Sequence, residues 1–209
     1  MTSYSTEQEA FWAGAFGTEY TDRNQGAQLL AGNLRLFSRI LERTRNVKSA
    51  LEFGANRGVN LNALKALLPG ADLAGIEINP EAATILESAG FNTYKSSILD
   101  FEVDHARDLT FTKGVLIHIN PDALPTVYDL LYRASTHYVL VAEYYSPSPV
   151  EISYRGHAGR LFKRDFAGEL MERHPDLRLV DYGFVYRRDP VFPQDDITWF
   201  LMDKTAAAT

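Results

Sequence analysis

The sequence predicts an α/β fold: a mostly parallel sheet covered by helices, with an antiparallel last strand and a helical cap at the N-terminus. Three observations predict it. Short apolar strands alternate with amphipathic helices from Ser49 to Glu143, and such alternation implies right-handed crossovers and a parallel sheet. The first strand runs directly into a glycine-bracketed turn, Gly54 to Gly58. The last two strands, Leu177 to Tyr186 and Ile197 to Met202, have no helix between them and so are expected to pair antiparallel.

The elements follow in order. TEQEAFWAGAFGTEY opens with Thr6 and, three residues on, Glu9, a capping-box pattern that starts a helix. GAQLLAGNLRLFSRILERTR sets Leu30, Leu34, Phe37 and Leu41 at helical spacing. SALEF (Ser49 to Phe53) is the first strand, and VNLNALKALL is a helix stopped by Pro69-Gly70. Ala71 to Ile78 is the second strand. Pro80 then starts a helix that ends at Gly90. Phe91 to Tyr94 and Leu109 to Leu116 are the third and fourth strands. PDALPTVYDLLYRA is a helix despite Pro125 in its first turns, and His137 to Glu143 is the fifth strand. A Pro-containing loop leads to a helix over Asp165 to Arg173, then to the closing strands; the tail TAAAT reads as a frayed end.

The 209 residues suffice for one core, so a single domain over 1–209 is expected. Within it, 1–46 form the cap, 47–145 the cofactor-binding half, and 146–209 the substrate loop and closing strands. The net charge of −6 disfavours a phosphate polymer or anionic membrane as general partner. With no cysteine, disulfides, thiolate catalysis and Cys-ligated metal are excluded, and no metal site is expected. No apolar run reaches membrane-spanning length, and Glu7 and Glu9 interrupt any signal-peptide core. Cytoplasmic residence is the expectation; oligomeric state is left open.

Ligands of such sheets sit beyond the carboxyl ends of the strands. The first strand ends in Glu52-Phe53-Gly54-Ala55-Asn56-Arg57-Gly58 and the second in Glu77-Ile78. A carboxylate at the end of the second strand can accept hydrogen bonds from both ribose hydroxyls. A dinucleotide site wants Gly-x-Gly-x-x-Gly, but Asn56 stands where the second glycine belongs, and no phosphate loop of the Gly-x-x-x-x-Gly-Lys type occurs. The turn suits an adenosine ligand without phosphate, such as S-adenosylmethionine.

Glu-x-Gly-x-x-x-Gly with strand-end Glu77 resembles the first two motifs of the class I S-adenosylmethionine-dependent methyltransferases, whose sheet is Rossmann-like. FTKGVLIH (Phe111 to His118) resembles that family's fourth-strand motif. EQEAFWAGAFGTEYTDRN, AEYYSPSPVEISYRGHAGRLFKRDFAGE and DYGFVYRRDP…FPQDDITWF are similar to the pseudaminic acid biosynthesis-associated methylases. The resemblance implies S-adenosyl-L-methionine as cofactor. It implies that Glu52, Gly54, Ala55, Asn56 and Gly58 form the methionine-side turn, that Glu77 holds the ribose, and that Ile78, Ser97 and Ile98 meet the adenine. Many relatives carry an acidic residue near Ser97, which is absent here. Lys113 and Val115 would lie beside the sulfonium, and Tyr20, Arg23 and Asn24 would close over it. For Phe11, Trp12 and Phe16, helix packing is the better reading.

The expected acceptor is a small polar molecule: an acidic sugar or its nucleotide-activated form, or an amino or guanidino compound. His118, Glu143 and Tyr145 are candidates near the reacting atoms. A packing histidine weighs more than a catalytic one at His118, and a solvated loop glutamate competes at Glu143. Tyr144, Tyr145, Arg155, His157 and Lys163 are candidate substrate contacts, with surface charge as the alternative for the cations. Asp165 reads as a helix cap, and Asp195 reaches the pocket or lies in an exposed turn. The rival readings are a nicotinamide-dependent oxidoreductase and a non-catalytic cofactor-binding scaffold.

Overall fold

A computed structural model describes residues 4–23 and 25–204. Asn24 and the TAAAT tail lie outside the described residues. Nine strands are described: β1 (Ser49–Phe53), β2 (Asp72–Ile76), β3 (Asn92–Tyr94), β4 (Arg107–Lys113), β5 (Ser135–Glu143), β6 (Val150–Glu151), β7 (Phe162–Lys163), β8 (Leu177–Val185) and β9 (Ile197–Lys204). Seven form one sheet in the order β3-β2-β1-β4-β5-β9-β8. β1 to β5 pair parallel, and β9 lies antiparallel to both β5 and β8. The expected topology holds: the fold is Rossmann-like, with its switch point between β1 and β4.

Alternation along the strands sends side chains to two faces. On β5, Val139 and Val141 join one apolar cluster, and Tyr138, Leu140 and Ala142 join the other. The helices α6 (Leu124–Arg133) and α7 (Phe166–Arg173) cover the first face. The helices α3 (Ala27–Leu41), α4 (Val59–Leu67) and α5 (Pro80–Ser88) cover the second. Phe37 of α3 packs edge-on to Phe111 of β4 at 5.5 Å. Thus α3 is a sheet-covering helix, while α1 (Glu7–Ala13) and α2 (Ala15–Arg23) sit over the strand ends.

Several boundaries differ from expectation for local reasons. The N-terminal helical stretch breaks at Gly14, whose extended backbone separates α1 from α2. Strand β4 stops at Lys113, because Gly114 turns left-handed at φ 68° and a 3-10 turn follows over Leu116–His118. Pro121–Ala123 is likewise a 3-10 turn. Helix α6 begins at Leu124 and places Pro125 in its first positions, where a missing N–H is harmless. The Pro-containing loop holds the small antiparallel pair β6–β7, which the sequence did not announce.

Candidate cofactor and acceptor site

A cavity of about 490 Å³ opens at the carboxyl ends of β1, β2 and β4, beneath α1 and α2. That size is in the range of small-molecule sites. Its floor is the turn after β1. The N–H groups of Gly54 and Ala55 both donate to the Ile76 carbonyl at 2.9 Å, which ties the turn to β2. Gly54 has φ 77° and packs so close to Val115 that a Cβ would lie 2.7 Å from its Cγ2. Asn56 also takes a positive φ, 48°, and its N–H donates to Glu77 Oε2 at 2.7 Å. The other oxygen of Glu77 accepts the N–H of Asn79 at 2.7 Å. Burial pushes the Glu77 carboxyl up, and these backbone N–H bonds work against that. Each carboxylate oxygen has a second lone pair, and Glu77 lines the cavity.

The adenine-side candidates Ile78, Ser97 and Ile98 line the same cavity. Ser97 donates a short hydrogen bond to Glu9 Oε1 and accepts the N–H of Leu99 at 3.0 Å. A carboxylate of α1 thus stands beside Ser97. Burial raises the Glu9 carboxyl, but bonds from Ser5, Ser97 and Thr6 outweigh it and hold the pKa below its ordinary value. Glu9 also completes the capping box with Thr6.

Of the remaining predicted residues, Tyr20, Arg23, Lys113, Val115, His118, Tyr144 and Arg155 line the cavity. Burial pushes the Lys113 amine down against the pull of Glu52, Asp195 and Glu143, and it raises the Tyr20 phenol. His118 bonds the Arg160 carbonyl through Nδ1 at 2.6 Å and packs between Trp12 and Tyr154, with centroids 4.5 and 4.9 Å away. As the Arg160 carbonyl can only accept, Nδ1 carries the proton. Burial pushes the imidazole down to about 4, so the ring is neutral.

Six predicted residues fall outside the cavity wall. Glu52 is fully buried behind the turn and accepts from Asn60 Nδ2 at 2.6 Å. Gly58 starts α4 in a left-handed conformation against Leu86. Glu143 is a correction: its carboxylate accepts the N–H groups of Val115 and Leu116, each at 3.0 Å, and of Ile117. It shapes the turn after β4, and burial raises its pKa to about 7. Tyr145 is 42% exposed, bridged to Arg164, with its ring 6.0 Å from that of Phe200. His157 is exposed and packs on Phe11 and Phe16, not on a substrate space. Lys163 lies over the ring of Tyr144 at 5.2 Å, on the outer side of the wall.

The sequence reading also missed residues. Trp12 lines the cavity rather than only packing within the helices. Asn33 and Gln194 line it too, and Asp195, for which the pocket and an exposed turn were both open, lies in its wall. Asn33 had a signal: it is a polar residue among the buried positions Gly32, Leu36, Phe37 and Ile40 of α3. Among the described residues, no cluster of His, Asp or Glu is arranged to hold a metal ion. No described helix is long and apolar enough to cross a membrane.

No family model and no curated protein sequence matches the chain. Solved structures do match in fold. One is the 1,6-didemethyltoxoflavin-N1-methyltransferase of Burkholderia thailandensis, with bound 1,6-didemethyltoxoflavin and S-adenosylhomocysteine. It has a TM-score of 0.69 and 17% identity, over 99% of this chain and 93% of that one. The sugar N-methyltransferase of a Streptoalloteichus species matches with a TM-score of 0.66 and 13% identity, over 99% and 97%. The magnesium protoporphyrin IX methyltransferase of Synechocystis, with bound S-adenosylmethionine, matches with a TM-score of 0.64 and 8% identity, over 98% and 100%. The fold is that of class I S-adenosylmethionine-dependent methyltransferases.

Proposed function

We propose that the chain is an S-adenosylmethionine-dependent methyltransferase that methylates a small polar metabolite on oxygen or nitrogen. The observation that carries this reading is the pairing of Glu77 with the backbone of Asn56, which fixes a carboxylate beside a glycine turn inside the cavity. Neighbours of the same fold that hold S-adenosylmethionine or its demethylated product support it. The residues fit the cofactor: Gly54, Ala55 and Asn56 would take the methionine end, Glu77 the ribose, Ile78 and Ile98 the adenine faces. Lys113 and Val115 would lie beside the sulfonium, and Tyr20 and Arg23 over it. Bound there, S-adenosylmethionine would supply an electrophilic methyl group to an acceptor oxygen or nitrogen. The chain contributes alignment and a cavity sheltered by α1 and α2.

A dinucleotide is disfavoured by a specific contact. Asn56 Oδ1 accepts the N–H of Arg57 at 2.7 Å, so a donor that a pyrophosphate would use is already engaged. The words shared with the pseudaminic acid biosynthesis-associated methylases support a narrower placement in that group. Isothermal titration with S-adenosylhomocysteine tests the reading: binding is expected, and a folded protein that binds neither it nor S-adenosylmethionine overturns it.

A further inference from the structure

The β8–β9 end of the sheet is covered on one face only. Asp181, Gly183 and Val185 of β8 lie on the α3 side: Asp181 pairs with Arg43 at 3.2 Å, Gly183 packs on the Trp199 ring, and Val185 joins the α3 cluster. By alternation Tyr182 and Phe184 point the other way. Tyr182 stacks on Phe200 of β9 at 6.2 Å, Phe184 lies 6.1 Å from Tyr186, and Tyr145 also stands beside Phe200. These rings stay open: Tyr182 is 61% exposed, Phe184 52% and Tyr186 46%. With Tyr145, and at about 150–250 Å² per ring, they leave an apolar patch on the order of 400 Å², the size of patches that mark contact sites.

Strand β8 is also the last strand of its sheet, with no strand along its outer side among the described residues. An exposed apolar edge is a template for strand pairing. Two features confine that pairing to one segment. A bulge between Leu179 and Asp181 interrupts the ladder at one end. At the other, a turn is closed by the Asp189 N–H donating to the Tyr186 carbonyl at 3.1 Å. The open segment runs from Asp181 to Tyr186 and holds neither proline nor lysine, the residues that commonly blunt such edges.

We infer that the outer edge of β8, with its aromatic face, binds a second copy of the chain in a two-fold dimer, the two β8 strands lying antiparallel. The segment is self-complementary about Phe184. In that register Phe184 meets Phe184 and Tyr182 meets Tyr186; on the opposite face Asp181 meets Arg187, twice by symmetry. Cross-strand aromatic pairs and unlike charges both favour pairing. A register centred on Gly183 sets Asp181 against Val185 and offers it no cation. Asp181 and Arg187 already hold Arg43 and Asp196 within one chain, so the dimer joins existing ion pairs into rows of alternating sign. The two patches bury at most about 800 Å² between them, below the roughly 1,600 Å² of a standard interface. The dimer is therefore a micromolar one, not a permanent one. Pairing uses up the β8 edge of both copies, so association stops at two.

Sedimentation velocity on the full chain from about 1 to 300 μM, the span over which a micromolar dimer assembles, tests it. A monomer–dimer equilibrium is expected, with no larger species. Phe184→Asp sets two carboxylates face to face on the two-fold axis and should weaken the dimer about hundredfold, the scale for like charges brought together. Val191→Asp, at a position 64% exposed on the loop after β8, should leave the dimer within about threefold of the parent. Because the chain has no cysteine, a single Phe184→Cys thiol reports its own neighbour. Facing Cβ atoms in such a pair lie about 5 Å apart, so mild oxidation should link two Phe184→Cys chains and leave Val191→Cys unlinked. The cysteine variant adds no charge and keeps the test decisive if the aspartate variant does not fold. A chain that stays monomeric over the whole range, a dimer that survives Phe184→Asp, association that continues past two copies, or equal cross-linking at positions 184 and 191 overturns the interface.

Discussion

Asn79 donates its backbone N–H to Glu77 Oε1 at 2.7 Å, so the residue that starts α5 also orients the carboxylate in the cavity. Its side chain works in two further directions. Oδ1 caps α5 by accepting the N–H groups of Glu81 and Ala82 at 3.1 Å. Nδ2 donates to the carbonyls of Trp12 and Gly14 and to Thr18 Oγ1, at 3.2 to 3.3 Å. One residue thus joins the candidate ribose carboxylate, through its backbone, to the kink between α1 and α2, through its side chain.

Asn79→Asp separates these duties. The carboxylate still caps α5 but cannot donate to α1 and α2. Amide hydrogen exchange across residues 7–23 should speed up about tenfold, as expected for a loss near 1.4 kcal/mol, while exchange in α5 stays as it was. Asn79→Ala removes the cap as well and should lower global stability by about a further 1 kcal/mol. Equal exchange in parent and Asp variant would show that the Nδ2 contacts do not hold the cap.

Glu77→Ala removes the carboxylate that we assign to the ribose and leaves the N–H groups of Asn56 and Asn79 without their partner. S-adenosylhomocysteine binding should weaken by about 1–3 kcal/mol, the scale for polar partners left unpaired. Calorimetry on the purified variant reads it directly, and an unchanged affinity removes Glu77 from the ribose contact.

Gly54→Ala strikes the turn itself. Its φ of 77° is unfavourable for alanine, and the new Cβ would lie 2.7 Å from Val115 Cγ2. Left-handed backbone alone costs about 1–2 kcal/mol, and Val115 cannot retreat freely because Glu143 holds its N–H at 3.0 Å. Denaturant unfolding should show a loss of about 2 kcal/mol or more, together with loss of cofactor binding. A variant as stable as the parent would mean that the turn has another accessible conformation.

The sheet was legible where an apolar strand core adjoins a turn residue, as in β1 before Gly54 and β2 after Pro69-Gly70. The turn chemistry was legible for the same reason: Gly54 and Gly58 are punctuation as well as function. What escaped was contact made across the chain. Val115 and Leu116 read as more of β4, because nothing local reveals that Glu143 takes their N–H groups. Glu143 itself reads as a pocket carboxylate until its partners are seen. Glu9 reads only as half of a capping box, although it also accepts from Ser97, 88 residues away. Gly32 and Gln194 meet only because α3 folds back against the segment before β9, and no spacing in the sequence joins them. The pairing of β6 with β7 spans two residues on each strand, too short for any alternation to register.

Glu52 gives the chain a pH dependence whose sign follows from burial. Its carboxyl is fully buried, with Oε1 accepting from Asn60 at 2.6 Å and Oε2 without a partner among the described residues. Burial pushes its pKa up to about 8, against the Asn60 bond and the attraction of Lys113. In the unfolded chain a glutamate titrates near 4.3. Between these values the folded state keeps a proton that the unfolded state has lost, so raising the pH favours unfolding. The contribution to stability is complete below the unfolded pKa and is lost as the pH rises through about 8. His118, held down to about 4 by burial, acts the other way: its contribution is complete above the unfolded histidine pKa and is lost as the pH falls through the folded one. A profile of the parent alone therefore mixes both slopes. Glu52→Gln isolates one of them, because glutamine does not titrate and still offers Asn60 an oxygen. The melting temperature of the parent minus that of the variant should fall steadily from pH 5 to pH 8, the range spanned by the two glutamate pKa values. A difference that stays flat, or that rises with pH, would show that Glu52 is ionised in the folded protein with a counter-charge that holds it.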